Sequence, residues 1–320
     1  MNPSTQPPTQ LHVIFGTGPL GKWTARALTT MGHRVHIINR SGQASDLPAG
    51  VEILKGDAYD ASKNIEMTRG SSSIYLCAQP EYHQWAGHFP RLQAAILQAA
   101  VTNGAKLIAA ENLYMYGDTH GQAIREDLPY RAHTKKGRIR QEMTEVLFAA
   151  HAAGQVRAAS VRGSDFFGPD DHLYAENIFG PALSGKAINA IGNLDQPHTF
   201  TYTADFGRAL AIVGTHDQAL GQTWHVPSEP AITQRALIKI ISEEVGRPTK
   251  TMLGTPLIVR ALGLFNPGLR EMVEMLYQFT QPFVLDSSKF TRTFGMTATP
   301  VRQQVRETVA WVRAHPPVQR

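Results

Sequence analysis

Residues 11–28, LHVIFGTGPLGKWTARAL, hold an apolar run, a glycine-rich turn and an amphipathic segment in direct succession. The run predicts a strand and the amphipathic segment predicts a helix. Between them, Gly16, Gly18 and Gly21 form the pattern G-x-G-x-x-G. The first glycine permits a tight turn, the second lets a pyrophosphate approach the backbone, and the third lets the helix pack closely on the strand. This stretch therefore predicts a dinucleotide-binding turn.

The expected phosphate contacts come from the turn and the start of the helix, where N–H groups and the positive end of the helix dipole are available. These residues are Gly16, Thr17, Gly18, Pro19, Leu20 and Gly21. After the next strand come Asn39 and Arg40, where a NAD site usually has an acidic residue. A guanidinium there can pair with a 2′-phosphate, so the sequence favours NADP, with NAD as the second possibility. The alternative for Arg40 is an ordinary solvated loop arginine.

The same alternation of strand-like and helix-like segments continues along the first half of the chain. Strands are predicted at Leu11–Phe15, Val35–Ile38, Val51–Leu54, Ser73–Leu76, Lys106–Ala110 and Val156–Val161, and helices at Leu20–Met31, Ala61–Arg69, Trp85–Thr102 and Thr134–Ala152. After about Gly168, helices are predicted at Thr203–Val213, Thr233–Val245, Pro256–Leu262, Leu269–Gln278 and Val301–Ala314.

This order predicts an α/β protein with a doubly wound parallel sheet of the Rossmann type. We expect the dinucleotide-binding domain at residues 1–168. A smaller, mostly helical substrate-binding lobe is expected at residues 169–320, with some later segments returning to the first domain.

Composition narrows the function. The chain of 320 residues is 42% hydrophobic and 18% charged, as in ordinary folded proteins. Its net charge of +5 comes from scattered lysines and arginines, so we expect no nucleic-acid partner. Cys77 is the only cysteine, which excludes an intrachain disulfide and fits a reducing cytoplasm. No apolar run of membrane-spanning length appears, so we expect no membrane partner. The expected assembly is a monomer or homodimer.

Five further segments resemble the extended short-chain dehydrogenases, specifically the NAD-dependent epimerase/dehydratase family. They are KGDAYD, YLCAQP, ENLYMYG, RGSDFFGP and HTFTYTADFGRAL, in the order in which the family carries its corresponding motifs. The resemblance implies that Asp57, with Ala58 beside it, lies at the adenine. It also implies that Ala78 and Gln79 approach the cofactor from the fourth strand.

The same resemblance assigns the substrate cleft. It implies that Asp165 and Phe166 border the substrate, and that the segment containing His198 and Asp205 closes the cleft. Asp165 is open to two interpretations: it hydrogen-bonds a ligand hydroxyl, or it caps the following turn.

The family's catalytic Tyr-x-x-x-Lys pair is missing from its expected helix. Tyr59 and Lys63 have that spacing but follow the third strand, on the adenine side, so we interpret them as a decoy. Superposing the family pattern on the helix after the fifth strand places Thr134 at the tyrosine and Arg138 at the lysine. A threonine hydroxyl is too weak an acid for proton transfer, and a guanidinium stays protonated.

Other residues are candidates for the lost roles. The family's serine is replaced by Asn112, which can donate a hydrogen bond to an oxyanion. Tyr114 and Tyr116 are the candidate proton donors, and Arg138 is the candidate for holding ribose or phosphate. Each of these tyrosines has a structural alternative, a packed ring with its hydroxyl on a neighbouring group. Tyr130, Lys135 and Lys136 are further possibilities, and no metal-ligand spacing occurs.

The sequence thus predicts an NADP-dependent oxidoreductase acting on a small, partly apolar carbonyl or hydroxyl compound. Nucleotide-sugar epimerisation or dehydration is the alternative within the same family. A protein that binds NADP as a sensor and turns nothing over is the alternative of another class.

Overall fold

The structure, a computed structural model, describes residues 9–265 and 267–317. Its strands are β1 (Leu11–Phe15), β2 (Arg34–Asn39), β3 (Glu52–Lys55), β4 (Ser73–Leu76), β5 (Lys106–Glu111), β6 (Arg157–Arg162), β7 (Phe166–Phe167), β8 (Ile188–Ile191), β9 (Pro197–His198), β10 (Thr201–Tyr202), β11 (Thr223–His225), β12 (Ile232–Thr233) and β13 (Thr251–Gly254).

The helices alternate with these strands in the first half and dominate the second. They are α1 (Pro19–Thr30), α2 (Ala61–Met67), α3 (Trp85–Asn103), α4 (Lys135–Ala152), α5 (His172–Tyr174), α6 (Gly180–Ser184), α7 (Thr203–Thr215), α8 (Gln234–Val245), α9 (Pro256–Gly263), α10 (Pro267–Val273), α11 (Tyr277–Thr280), α12 (Ser288–Phe294) and α13 (Val301–Ala314).

Seven strands form one parallel sheet in the order β11-β6-β5-β4-β1-β2-β3. The chain moves outward in one direction from β1 to β3 and then returns to place β4 on the other side of β1. Ligands of such sheets bind in the crevice at this reversal, outside the carboxyl ends of the strands. The predicted doubly wound α/β fold is confirmed, and β1 and β4 have the predicted bounds.

Helices cover both faces of the sheet, which explains why its strands are apolar along both sides. α1 and α7 pack together on one face, while α2, α3 and α4 follow one another on the other. The α1–α7 contact is very close: a Cβ added to Gly207 would lie 2.4 Å from the carbonyl carbon of Trp23. Only glycine allows the two helix backbones to approach in this way.

Residues 203–225 return from the second half of the chain to complete the first domain. α7 covers the sheet, and β11 adds a seventh strand beside β6. The sequence predicted the helix but not the strand, because three residues are too short a run to show periodicity.

Most of the remaining elements form a smaller lobe at the carboxyl ends of the strands, whereas α12 packs beside β11 with Phe290 in the core of the first domain. The strands of the lobe pair two by two, β7 with β10, β8 with β13 and β9 with β12. The lobe has its own apolar core, which includes Phe167, Phe179, Ile241 and Val309. The helix predicted at Leu269–Gln278 is wrong as one element, because α10 ends at Val273 and α11 begins at Tyr277. Among the described residues, no helix is long and apolar enough to span a membrane.

Candidate active site

The glycine-rich turn between β1 and α1 has the shape that a pyrophosphate requires. Gly16 adopts φ +108°, and a Cβ there would lie 2.8 Å from the backbone nitrogen of Ala78. A Cβ on Gly21 would lie 2.0 Å from the carbonyl oxygen of Gly16, so this helix can begin against the turn only with glycine. A Cβ on Gly18, by contrast, would meet nothing within 4 Å. The turn is packed from behind and open toward the crevice.

The first turn of α1 leaves its N–H groups free for a ligand. Gly18 is the N-cap residue and provides no side-chain hydrogen bond, and Pro19 follows at the first helical position. The N–H dipoles of Leu20 and Gly21 therefore point out of an uncapped helix end. These residues, with Thr17, fit the predicted phosphate contacts.

The loop after β2 is built around Asn39. Its Oδ1 accepts the N–H of Gly42 at 2.7 Å, and its Nδ2 donates to the carbonyl oxygen of Gln43 and to Oγ1 of Thr17. Asn39 thus ties this loop to the glycine-rich turn. Arg40, the next residue, is exposed.

Arg40 and Asp57 approach the same region from two loops. Burial raises the pKa of the Tyr59 phenol, with the Asp57 carboxylate adding to the rise and Arg40 opposing it. Asp57 accepts the backbone N–H of Tyr59 at 3.1 Å and turns the chain through Ala58 toward α2. These positions fit the predicted adenine and 2′-phosphate side of the crevice.

Tyr59 and Lys63 do not form a pair. The Nζ atom of Lys63 donates to Glu66 at 2.8 Å, and the ring of Tyr59 packs edge-on against His88 at 5.9 Å between centroids. Tyr59 precedes α2 and Lys63 lies within it, after the edge strand β3, and β1 and β2 separate β3 from β4. The structure supports their interpretation as a decoy.

Two tyrosines meet at the carboxyl ends of β4 and β5. The hydroxyl groups of Tyr114 and Tyr82 lie 3.4 Å apart, and the ring of Trp85 packs against both. Asn112 lies two residues before Tyr114 and accepts its backbone N–H at 3.2 Å, and the amide N–H groups of Asn112 have no partner among the described residues. Ala78 and the exposed Gln79 lie in the loop that leads to Tyr82. Tyr82 is a site residue that the sequence analysis missed.

Tyr114 is held in its neutral form. Burial, reinforced by the negative charge of Asp165, raises the pKa of Tyr114 to about 12. Burial also raises the pKa of Tyr82, with Tyr114 and Asp165 contributing to the rise. A phenol of this kind is a hydrogen-bond and proton donor near neutral pH, and its phenolate is costly.

The inward face of α4 differs from the one that the sequence alignment predicts. Thr134 is the N-cap of the helix, and its Oγ1 accepts the N–H of Gly137 at 3.0 Å. Arg138 is exposed and donates to the carbonyl oxygen of His133 at 2.8 Å. The prediction that Arg138 faces the cofactor is therefore not supported by its position.

The buried cations of α4 are Lys136 and Arg140, one helical turn apart on the same face. The Nζ atom of Lys136 lies 4.3 Å above the ring of Tyr82 and pairs with Glu271 and Glu274 of the second lobe. Arg140 donates to the carbonyl oxygen of Ala110 at 3.2 Å, and its buried Nε has no partner among the described atoms. An alignment by spacing alone chose the positions two residues away.

Tyr116 lies in a buried network below the cleft. Its hydroxyl accepts from Nη1 of Arg162 at 2.7 Å and lies 2.9 Å from Nε2 of His225, and the residue is 1% exposed. Arg162 also pairs with Glu111 at 2.9 Å and donates to Tyr130 at 2.8 Å. Both Tyr116 and Tyr130 accept hydrogen bonds from the buried guanidinium of Arg162, and this structural role argues against Tyr116 as the proton donor.

Asp165 and Phe166 follow β6 and have different environments. The ring of Phe166 packs edge-on against Phe206 of α7 at 6.1 Å and is half-buried. Asp165 has a side chain that is 23% exposed, and Nε2 of His198 lies 3.0 Å from its Oδ2. His198 itself is buried between the rings of Phe279 and Phe283. The phenols of Tyr174 and Tyr277 also sense the charge of Asp165, since it helps burial to raise the pKa of each.

Fold and site together define a class of protein: an α/β dinucleotide-binding protein with a polar, tyrosine-lined cleft over the carboxyl ends of its strands. Residues 13–226 match the model of the NAD-dependent epimerase/dehydratase family, and the chain belongs to that family.

Solved structures of this fold superpose on nearly the whole chain. UDP-glucose 4-epimerase of Thermus thermophilus in complex with NAD has a TM-score of 0.77 and 16% identity, covering 95% of this chain and 99% of that one. The Bordetella bronchiseptica enzyme WbmH in complex with NAD+ has a TM-score of 0.74 and 18% identity, covering 96% and 99%. At these identities the likeness shows the fold.

A curated relative comes from Arabidopsis thaliana, the 3beta-hydroxysteroid-dehydrogenase/decarboxylase isoform 2. It is 19% identical over 300 residues, which cover 81% of this chain and 51% of the relative. The chain therefore spans about half the length of the curated relative that it matches.

Proposed function

We propose that this protein is an NADP-dependent oxidoreductase that interconverts a hydroxyl and a carbonyl group on a small, partly apolar substrate, with Tyr114 as proton donor. The observation that carries the proposal is the hydroxyl pair of Tyr114 and Tyr82 at the ends of β5 and β4, next to the open glycine-rich turn. The position of this pair at the ends of the central strands supports a role on the reaction side of the crevice, although the Tyr-x-x-x-Lys pair is missing.

The cofactor would be held from one end of the crevice to the other by residues already described. The turn at Gly16, Gly18 and Gly21 would cradle the pyrophosphate, Asp57 would lie at the adenine, and Arg40 would pair with the 2′-phosphate. When bound, a nicotinamide dinucleotide supplies or accepts the hydride. NAD is the alternative cofactor.

The protein's own groups would supply position and the proton. Tyr114 would donate its proton to the substrate oxygen, and the free amide of Asn112 would hydrogen-bond the same oxygen as its charge develops. Lys136 lies over the ring of Tyr82, and its ammonium group is attracted to the electron-rich face of that ring. Its pairing with Glu271 and Glu274 joins the second lobe to the site.

The lining of the cleft favours a largely apolar substrate. Aromatic rings pack against the polar groups at the site: Trp85 packs against Tyr82 and Tyr114, and Phe279 and Phe283 stack on His198. The name of the Arabidopsis relative describes a hydroxysteroid dehydrogenase, which supports oxidation of a hydroxyl group on an apolar skeleton. Nucleotide-sugar chemistry, named in the titles of the solved structures, is the second candidate within the family.

A single substitution tests the cofactor half of this proposal. Gly18 has φ −70°, and the space beyond its Cα is open, so Gly18→Asp fits the fold without strain. A carboxylate there would occupy the place of the pyrophosphate. We expect Gly18→Asp to weaken NADPH binding by at least about a hundredfold, as a like-charge contact does, measured by isothermal titration.

Gly18→Asn is the matched control, because it has the same shape without the charge and should bind NADPH better than Gly18→Asp. Equal binding by all three proteins would contradict the location of the cofactor. Screening of ketones and secondary alcohols with NADPH and NADP+ then tests turnover. Tight NADPH binding without turnover of any such compound would favour the sensor alternative.

A further inference from the structure

His198 is buried among aromatic side chains, and its two ring nitrogens are the polar atoms of its side chain. Its ring stacks on Phe279 at 5.5 Å and 6°, and on Phe283 at 5.4 Å and 26°, while Phe200 packs at 4.8 Å. The residue is 2% exposed. Stacking against these two rings restricts the plane in which both ring nitrogens lie.

Each nitrogen lies within hydrogen-bonding distance of an oxygen atom. Nδ1 lies 3.2 Å from the backbone carbonyl oxygen of Gln278, which can only accept a hydrogen bond. Nε2 lies 3.0 Å from Oδ2 of Asp165, and neither of these two atoms has an aligned hydrogen bond to any described residue. A neutral imidazole carries one proton, which serves one of the two contacts. The other contact then brings two lone pairs together in a buried place, which is costly.

A second proton removes this conflict. It makes His198 an imidazolium beside the Asp165 carboxylate, and the exchangeable proton on Nε2 then lies between the two side chains. The aromatic faces around the ring favour the cationic form.

Asp165 and Tyr114 follow the neighbouring strands β6 and β5, so the exposed side of Asp165 lies at the same end of the sheet as the phenols of the cleft. Asp165 is 23% exposed while its Oδ2 is buried, so the exposed part of the side chain is on the opposite side from His198. The titratable groups that sense its charge are the four phenols of Tyr82, Tyr114, Tyr174 and Tyr277. Three of the loops involved follow the neighbouring strands β4, β5 and β6.

We propose that Asp165 and His198 share one exchangeable proton and form the reservoir that returns a proton to Tyr114 during turnover. The proposal rests on the function proposed above. When a substrate carbonyl is reduced, its carbon gains a hydride from the reduced nicotinamide and the C=O π electrons move to the oxygen. That oxygen takes the Tyr114 proton, the phenolate takes the proton of the pair, and water on the exposed side of Asp165 restores it.

Tyr114 needs a group that returns its proton. Burial raises the pKa of Tyr114 to about 12, so its phenolate is costly and is readily reprotonated. The Tyr-x-x-x-Lys lysine that would accompany a tyrosine is absent, and Lys136 is engaged with Glu271 and Glu274. In this arrangement Asp165 is a relay group and His198 is a positioning residue.

The first test reads the proton directly and needs no turnover. Nitrogen NMR of histidine-labelled protein distinguishes a protonated ring nitrogen from an unprotonated one, and His198→Gln identifies the His198 signals. We expect both nitrogens of His198 to carry or share a proton near neutral pH. In Asp165→Asn, whose amide donates to Nε2, that nitrogen should become a plain acceptor. A neutral ring with the same signals in both proteins would overturn the proposal.

The second test reads turnover. Asp165→Asn should lower kcat by about ten- to a hundredfold, with the dissociation constant for NADPH within threefold of the parent, and should enlarge the solvent deuterium isotope effect. The matched control is Glu126→Gln: Glu126 also lies beside a buried histidine, 3.9 Å from Nδ1 of His225, outside the cleft. Its isotope effect should not change.

The outcomes separate this proposal from the function on which it rests. If the parent protein shows no turnover but gives the expected His198 signals, the proposed function is contradicted and the shared proton is still supported. Full turnover with an unchanged isotope effect in Asp165→Asn would overturn the reservoir and keep the oxidoreductase. His198→Gln, if Asp165→Asn folds poorly, gives a second variant with the same expected isotope effect.

Discussion

At the scale of single residues, Tyr114 and Tyr116 show how two neighbouring phenols come to have different roles. The short helical turn after β5 directs Tyr114 toward Tyr82 in the cleft and Tyr116 toward Arg162 below it. Both are candidates by sequence because they are only two residues apart. Their hydrogen-bond partners come from the loop after β4 and from β6 and β11, which no local pattern reveals.

Tyr116→Phe should therefore act on stability. It removes the acceptor of a fully buried guanidinium and leaves Nε2 of His225 without its hydroxyl partner. We expect the free energy of unfolding to fall by about 1–3 kcal/mol, as for other buried polar groups that lose a partner. Denaturant unfolding measures this, and the turnover of the folded protein should stay within a few-fold. A hundredfold loss of turnover at unchanged stability would restore Tyr116 to the active site.

Arg40 carries the prediction of cofactor choice. It is exposed and shares its surroundings with Asp57 and Tyr59, so its guanidinium is available to a phosphate. Arg40→Ala should weaken NADP binding by about 1.5–3 kcal/mol, as for a charge-assisted contact, and change NAD binding little. The control is Arg34→Ala, because Arg34 begins the same strand at its opposite end. Equal losses for NADP and NAD on Arg40→Ala would show that it supports the loop instead.

At the scale of elements, α4 shows what sequence can and cannot establish. Its existence and nearly its bounds follow from the pattern of residues 134–152, and its inward face is the row that includes Lys136 and Arg140. The family alignment placed the pair at Thr134 and Arg138 because it matched the Tyr-x-x-x-Lys spacing and took no account of burial. Lysine and arginine are usually exposed, and α4 is only weakly amphipathic. The sequence therefore does not show that the face with Lys136 and Arg140 is the buried one.

The two faces of α4 should respond differently to substitution. Thr134→Val removes the N-cap and should lower the free energy of unfolding by about 1 kcal/mol while costing less than tenfold in turnover. Lys136→Met should lower turnover more than Arg138→Met, because Lys136 lies over Tyr82 and Arg138 is exposed. Thermal unfolding and steady-state kinetics of the three variants decide this. A larger loss of turnover from Arg138→Met would support the position of Arg138 given by the family alignment.

At the scale of the whole molecule, the first domain is completed by a segment from beyond residue 168. The sheet was predicted from the glycine motif, the alternation of strands and helices, and the family resemblance, because each of these depends on local sequence. β11 and the close contact of α7 with α1 did not follow, because they depend on long-range packing through Gly207 against Trp23. The same holds for Asp165 with His198, since the two residues lie on different elements.

Gly207→Ala tests how tightly that returning segment is joined to the domain. Its new methyl group would meet the backbone of Trp23 well inside van der Waals contact, so α1 and α7 would have to separate. We expect a loss of at least about 2 kcal/mol in the free energy of unfolding, as for overpacked cores. Gly87→Ala in α3 is the control: its Cβ meets nothing, so it should gain about 0.5–1 kcal/mol from helix propensity.

The most direct test of the central claim is single-turnover reduction of an apolar ketone by enzyme-bound NADPH, followed by the loss of NADPH absorbance, in the parent and in Tyr114→Phe. The claim predicts that Tyr114→Phe binds NADPH as tightly as the parent and lowers the rate by about a hundred- to ten-thousandfold, as loss of a general acid does. Tyr59→Phe, beside α2, should leave the rate within a few-fold. A Tyr114→Phe rate equal to that of the parent would contradict the claim that Tyr114 donates the proton.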